Sequence, residues 1–169
     1  MARSILAEEI KKRDPFDTPA EEAYLNLLRT HALLTAPTET LFKSEGISPA
    51  KYNVLRILRG ALGDGGAAKY GLPSLEIASR MITRVPDITR LVDGLESAAL
   101  VSRTRCTEDR RVIYVGITRK GLDLLAHLDG PLASQTRDLL AHMSDEELAE
   151  LNRLLVKARQ GAAPFTQPS

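Results

Sequence analysis

Nine residues between Thr83 and Arg111 carry side chains suited to gripping a polyanion: Thr83, Arg84, Asp87, Thr89, Arg90, Arg103, Arg105, Arg110 and Arg111. A guanidinium forks onto phosphate oxygens or a guanine edge, a threonine hydroxyl bonds phosphate, and an aspartate accepts from cytosine. Spacing divides the nine into two groups. Thr83 to Arg90 open a stretch in which Ile88, Leu91, Val92, Leu95 and Ala98 recur at intervals of three and four, which predicts a helix with one buried side. Pro86 is expected at its first helical position, and Asp87, Thr89, Arg90 and Asp93 on its polar side. Beyond Leu100 the period shortens to two. Val101, Arg103 and Arg105 then share one face of a strand, and Ile113, Val115 and Ile117 one face of another. Cys106 to Arg111 is a charged turn between them. An amphipathic helix running into a basic two-stranded hairpin is the arrangement with which a winged helix-turn-helix head meets DNA, the helix in the major groove and the hairpin along the backbone.

Within that arrangement the residues divide by task. Arg90 is expected to face the major groove and grip either guanine or a phosphate, with Thr89 and Asp87 as neighbouring candidates, whereas Thr83 and Arg84 at the helix entrance are expected to hold phosphates. Arg110 at the hairpin tip fits a narrow minor groove. Asp109 repels a polyanion through its own charge, so its useful part is to brace Arg111 or the turn.

Other elements must hold this segment in place. Ser4 to Lys12 reads as a short helix with Ile5, Leu6 and Ile10 on one side, ended at Asp14-Pro15. Asp17 or Thr18 caps a long helix containing Tyr24, Leu25, Leu28 and Leu34, which Pro37 is expected to kink or split. Ser48-Pro49 starts a helix buried through Tyr52, Leu55, Ile57 and Leu58, and Gly60 ends it. Gly63 to Gly71 reads as a surface loop, since no strand precedes its glycines and no Gly-Lys-Ser/Thr follows them. Ser74 then caps a short supporting helix, joined to the reading helix through Ile82 to Val85. After the hairpin, Thr118 caps a long helix that Gly130-Pro131 should break or bend. Ser144 to Glu147 is a capping box for a last helix with Leu148, Leu151, Leu154 and Leu155 in a stripe.

The expected organisation is an N-terminal arm at 1–16, a first dimerisation helix region at 17–45 and a winged helix-turn-helix domain at 46–118. C-terminal dimerisation helices at 119–160 and a disordered tail at 161–169 complete it. The fold class is mainly α with a small β-hairpin wing. The long amphipathic segments offer more apolar surface than the small central domain covers, which predicts a two-fold homodimer presenting two heads to half-sites of a pseudo-palindromic operator.

Composition fits this reading. The chain has 169 residues, 43% of them hydrophobic and only 4% aromatic, with no tryptophan, as suits an aliphatic helical core. The net charge of +1 is unevenly spread: Ile82 to Lys120 holds eight Arg or Lys against five Asp or Glu, and Gly121 to Gln160 four against seven. The single cysteine, Cys106, excludes an internal disulfide, and no cysteine-histidine cluster suggests a metal or other cofactor. His31, His127 and His142 fall in different helices without metal spacing. With no run of about 18 apolar residues and a charged N-terminus, a cytoplasmic protein is expected, without a membrane partner. No nucleophile-base arrangement or cofactor loop supports an enzyme.

The segment VPDITRLVDGLESAALVSRTRCTEDRRVIYVGITRKGLDLL, Val85 to Leu125, resembles the multiple-antibiotic-resistance regulator (MarR) family of bacterial winged-helix transcription factors. Its most specific piece is EDRRVIYVGITRKG, and the order of helices extends the likeness from about Asp17 to Gln160. The resemblance implies a dimer built from the first and last two helices, with Arg110 in the wing-tip position, Asp109 and Arg111 bracing the wing, and Arg90 as a recognition-helix arginine. It also implies a repressor released by a small-molecule effector between the dimer helices and the head, where His31 is the candidate ligand contact. Ala98-Ala99 replaces the glycine usual before the wing and should alter the turn only slightly. The competing reading is a winged-helix module that binds another protein and has no specific DNA binding.

Overall fold

The computed structural model describes residues 4–62, 71–106 and 112–161. They form two compact units, Met1–Leu132 and Ala133–Ser169, with the boundary inside a long helix. Seven helices and three short strands are present among the described residues: α1 Ile5–Glu9, α2 Pro19–Ser44, α3 Pro49–Ala61, β1 Leu72–Pro73, α4 Ser74–Ser79, α5 Ile88–Ser97, β2 Val101–Arg105, β3 Ile113–Ile117, α6 Arg119–Leu140 and α7 Asp145–Gln160. None is long and apolar enough to cross a membrane.

Helix starts follow side-chain caps. Thr18, Ser48 and Ser144 each accept a backbone N–H of the first turn, and at Ser144 the Glu147 carboxylate returns a bond to complete the capping box. Thr118 Oγ1 likewise accepts the Gly121 N–H at 3.1 Å at the start of α6. The expected interruptions do not split the long helices: α2 continues through Pro37 and α6 through Pro131. A proline removes one N–H, and in α2 the hydroxyls of Thr35 and Thr38 bond the carbonyls of His31 and Leu34, adding bonds on both sides of the gap.

The wing is wider than a hairpin. Leu72 and Pro73 pair antiparallel with Val115 and Tyr114, so β3 is the central strand of a three-stranded sheet ordered β1-β3-β2. Gly71 makes this closure possible. Its φ is +98°, and a Cβ there would lie 2.0 Å from the Val115 carbonyl oxygen. Because the chain reaches α4 directly from a strand, Pro73 precedes the helix and Ser74 is its first residue, not its cap.

The core of the first unit is aliphatic. Val54, Leu55 and Leu58 of α3, Ile77 of α4, Val92 and Leu95 of α5, Val115 of β3, and Leu125 and Leu128 of α6 are fully buried. At roughly 1.5–3 kcal/mol for each such side chain, this cluster dominates the stability of the head. α1 departs from expectation, since Leu6 and Ala7 turn inward while Ile5 stays 77% exposed. An ion pair of 3.6 Å from Glu9 to Arg29 joins it to α2.

Candidate nucleic-acid interface

Helix α5 begins later than its proline suggests. Asp87 is the N-cap, its Oδ1 accepting the Arg90 N–H at 2.9 Å, and Ile88 is the first helical residue. Proline disfavours a helical conformation in the residue before it, so Val85-Pro86 extends the link from α4 to 80–87. Asn53 of α3 secures that link by accepting the Ile82 N–H at 2.9 Å. With Val92 and Leu95 buried, the helical period leaves Thr89, Arg90, Asp93 and Ser97 exposed on the outer side.

The exit of α5 is tight. Leu100 N–H reaches back to the Leu95 carbonyl at 3.0 Å and Ala99 N–H to the Glu96 carbonyl at 2.8 Å, which places Ala99 in the left-handed region at φ 57°. That geometry ordinarily calls for glycine, so the Ala98-Ala99 substitution keeps the turn and loads it with strain. Thr118 Oγ1 donates to the Ala99 carbonyl at 2.8 Å, tying the exit to the far end of β3.

Arg103 joins β2 to α5. Its Nη2 lies 2.5 Å from Asp93 Oδ1 and its Nη1 2.6 Å from Glu96 Oε2, so one guanidinium on β2 holds two carboxylates of α5. The hydrogen bond to Asp93, followed by the field of Glu96, pushes the Arg103 pKa above its ordinary value despite partial burial. Arg103 was expected to reach DNA, and its fork is occupied within the chain. Asp87 is similarly engaged in starting the helix.

The remaining expected residues separate by position. Thr83, Arg84, Thr89 and Arg90 are exposed along the entrance and outer side of α5, and Arg105 is exposed at the end of β2. Just beyond it, Cys106 N–H bonds the Val112 carbonyl at 3.0 Å. Asp109, Arg110 and Arg111 lie outside the described residues. His31 is exposed on α2, an element that carries none of the others. Among the described residues no cluster of His, Cys, Asp and Glu is arranged to hold a metal ion.

Two features had no reading from sequence. An open groove runs beside α5, with Lys51 of α3 on its wall together with Asp87, Arg90 and Gly94. Two turns farther along α3, Arg59 forms a two-pronged pair with Asp129 of α6, at 2.6 and 2.9 Å, and Arg56 stands 3.5 Å from the same carboxylate. Each depends on a contact between distant parts of the chain, which periodicity does not reveal.

A supporting helix, a capped outward-facing helix and a strand pair strapped to it define a winged-helix head. The comparisons agree in kind. The MarR family profile matches residues 47–113. The chain is 32% identical over 122 residues to the HTH-type transcriptional repressor MdtR of Bacillus subtilis (strain 168), covering 71% of this chain and 72% of that one. A crystal structure of a MarR transcription factor from Planctomyces limnophilus shares 40% identity at a TM-score of 0.62, over 83% of this chain and 98% of that one. The S. aureus MepR-DNA complex shares the fold at a TM-score of 0.69 and 21% identity, over 82% of this chain and 96% of that one. The chain belongs to the MarR family of transcriptional regulators.

Proposed function

We propose that this protein is a homodimeric, sequence-specific repressor that binds a pseudo-palindromic operator and is released from it by a small molecule. The observation that carries the DNA-binding part is the outer side of α5, where Thr89 and Arg90 stand exposed on a helix whose start, exit and flank are all anchored within the head. A reading helix must be presented rigidly, because a base contact is worth about 1–3 kcal/mol only when its geometry is met. In this reading Arg90 and Thr89 meet base edges, Thr83, Arg84 and Arg105 hold phosphates, and Arg110 enters the minor groove beside Arg111, braced by Asp109. Arg103 and Asp87 keep the helix in position. The kinship with MdtR, a repressor, and the shared fold of the MepR-DNA complex support it.

Dimerisation is supported by apolar surface that the chain leaves uncovered. On α2, Tyr24, Leu28 and Leu33 are 61%, 49% and 54% exposed, and on α7 Leu154 and Val156 are exposed as well. An effector site near α2 would include His31, and its ligand would act by changing the spacing of two heads. Selection of bound duplexes from a random pool tests the whole reading. Two inverted half-sites about one helical turn apart are the expected result. Enrichment of no sequence, with no duplex bound even at low salt, would favour a protein-binding module instead.

A further inference from the structure

We propose that Lys51 of α3 is an additional phosphate contact, placed on the flank of the reading helix away from the wing. This rests on the duplex-binding reading above and extends the contact set to a helix outside the helix-turn-helix and the hairpin.

At about 100° per residue, the outer side of α5 has two flanks. Asp93 and Glu96 lie toward one, where Arg103 of the wing holds both. Asp87, Leu91 and Gly94 lie toward the other, and Lys51 approaches there. A Cβ built on Gly94 would stand 3.0 Å from Lys51 Nζ and 3.1 Å from its Cε. The lysine stem therefore crosses α5 at the position that carries no side chain, and its ammonium emerges in the groove shared with Asp87 and Arg90.

Charge decides what this ammonium does. Among the described residues it has no ion-pair or hydrogen-bond partner. The carboxylates nearest in the groove are engaged elsewhere: Asp93 binds Arg103, and Asp87 caps the helix. A lysine ammonium offers three donors and is strongly hydrated, so it remains at the surface awaiting an acceptor. A helix lying in a major groove has a phosphate backbone on each side. The wing serves one of them; Lys51 is placed to serve the other. Such a contact adds affinity and fixes orientation without reading sequence.

The test is a salt titration of the full chain on its selected operator and on an unrelated duplex, for the wild type, Lys51→Met and Lys51→Arg. For Lys51→Met, the slope of log K against log salt should fall in magnitude by roughly 0.9 for each copy of the chain on DNA, equally on both duplexes. Lys51→Arg should restore the slope, and the selected consensus should not change. The slope does not depend on how much of a preparation is folded, so a partly destabilised Lys51→Met still gives an answer. An unchanged Lys51→Met slope beside a salt-sensitive wild type would overturn this assignment alone. Failure of the wild type to bind any duplex would remove the underlying reading and this contact with it.

Discussion

Arg103 and Asp93 meet at 2.5 Å across the gap between the wing and the reading helix, with Glu96 taking the second arm of the same guanidinium. All three side chains touch solvent, so each pair contributes about 1 kcal/mol or less to folding. Their effect on DNA should be larger. Arg103→Ala frees the helix from the strand and leaves two uncompensated carboxylates on the surface proposed to meet phosphates. Operator affinity should fall by more than the loss of folding stability measured on the same variant, and adding Asp93→Asn with Glu96→Gln should recover part of it. Strictly additive effects of the three substitutions would show that the strap has no part in binding.

Arg90 and Arg84 should respond differently to truncation. In the proposed reading Arg90→Ala removes a contact worth about 1–3 kcal/mol at one base pair, so it should relax the consensus there. Arg84→Ala should weaken all duplexes alike and lower the salt slope by about one. Duplex selection combined with salt titration reads both, and equal losses on every sequence for both variants would reverse the assignment.

Ala99 offers a stabilising substitution. A left-handed φ of 57° costs an L-residue about 1–2 kcal/mol that glycine avoids, while glycine's looser unfolded chain returns part of it. Ala99→Gly should raise stability by about 0.5–1 kcal/mol in thermal or denaturant unfolding. A lower melting temperature would show that the alanine methyl makes a packing contribution greater than its strain.

Asp129 sets an acid limit. Its hydrogen bond to Arg59, opposed by partial desolvation and aided by the fields of Arg59 and Arg56, holds its pKa below the ordinary 3.8. A depressed carboxylate contributes stability that is full above its unfolded pKa and is lost as pH falls through the folded value. Asp129→Asn should therefore destabilise the chain at neutral pH, by about 1 kcal/mol after screening, and show a shallower loss of stability below pH 3.8 than the wild type. Parallel acid unfolding curves for the two proteins would contradict this.

Much of the secondary structure was legible because it is local. Thr118, Ser48 and Ser144 announce their helices through side chains that bond the next turn, and the change of period after Leu100 marks β2 and β3 at the residues where they occur. Expectation failed where partners are remote. Leu72-Pro73 looks like the end of a loop until Val115 is beside it, and Arg103, expected on DNA from its place in the strand, is found with its guanidinium on Asp93 and Glu96. Pro86 misled for a related reason: proline followed by aspartate suits either a first helical turn or a link ending in a cap, and the Arg90 N–H accepted by Asp87 decides between them.

The links that fasten α5 arise from the side chains of Asp87, Asn53, Thr118 and Arg103, and none of them uses the side chain of Thr89 or Arg90. In the proposed reading, scaffold and vocabulary are thus carried by different side chains of the same ten-residue helix and its neighbours. Such a head invites reprogramming: the side chains at 89 and 90, proline excepted because position 90 must keep its N–H for Asp87, can be varied in a library without removing a fastening, and new operator preferences selected from the variants.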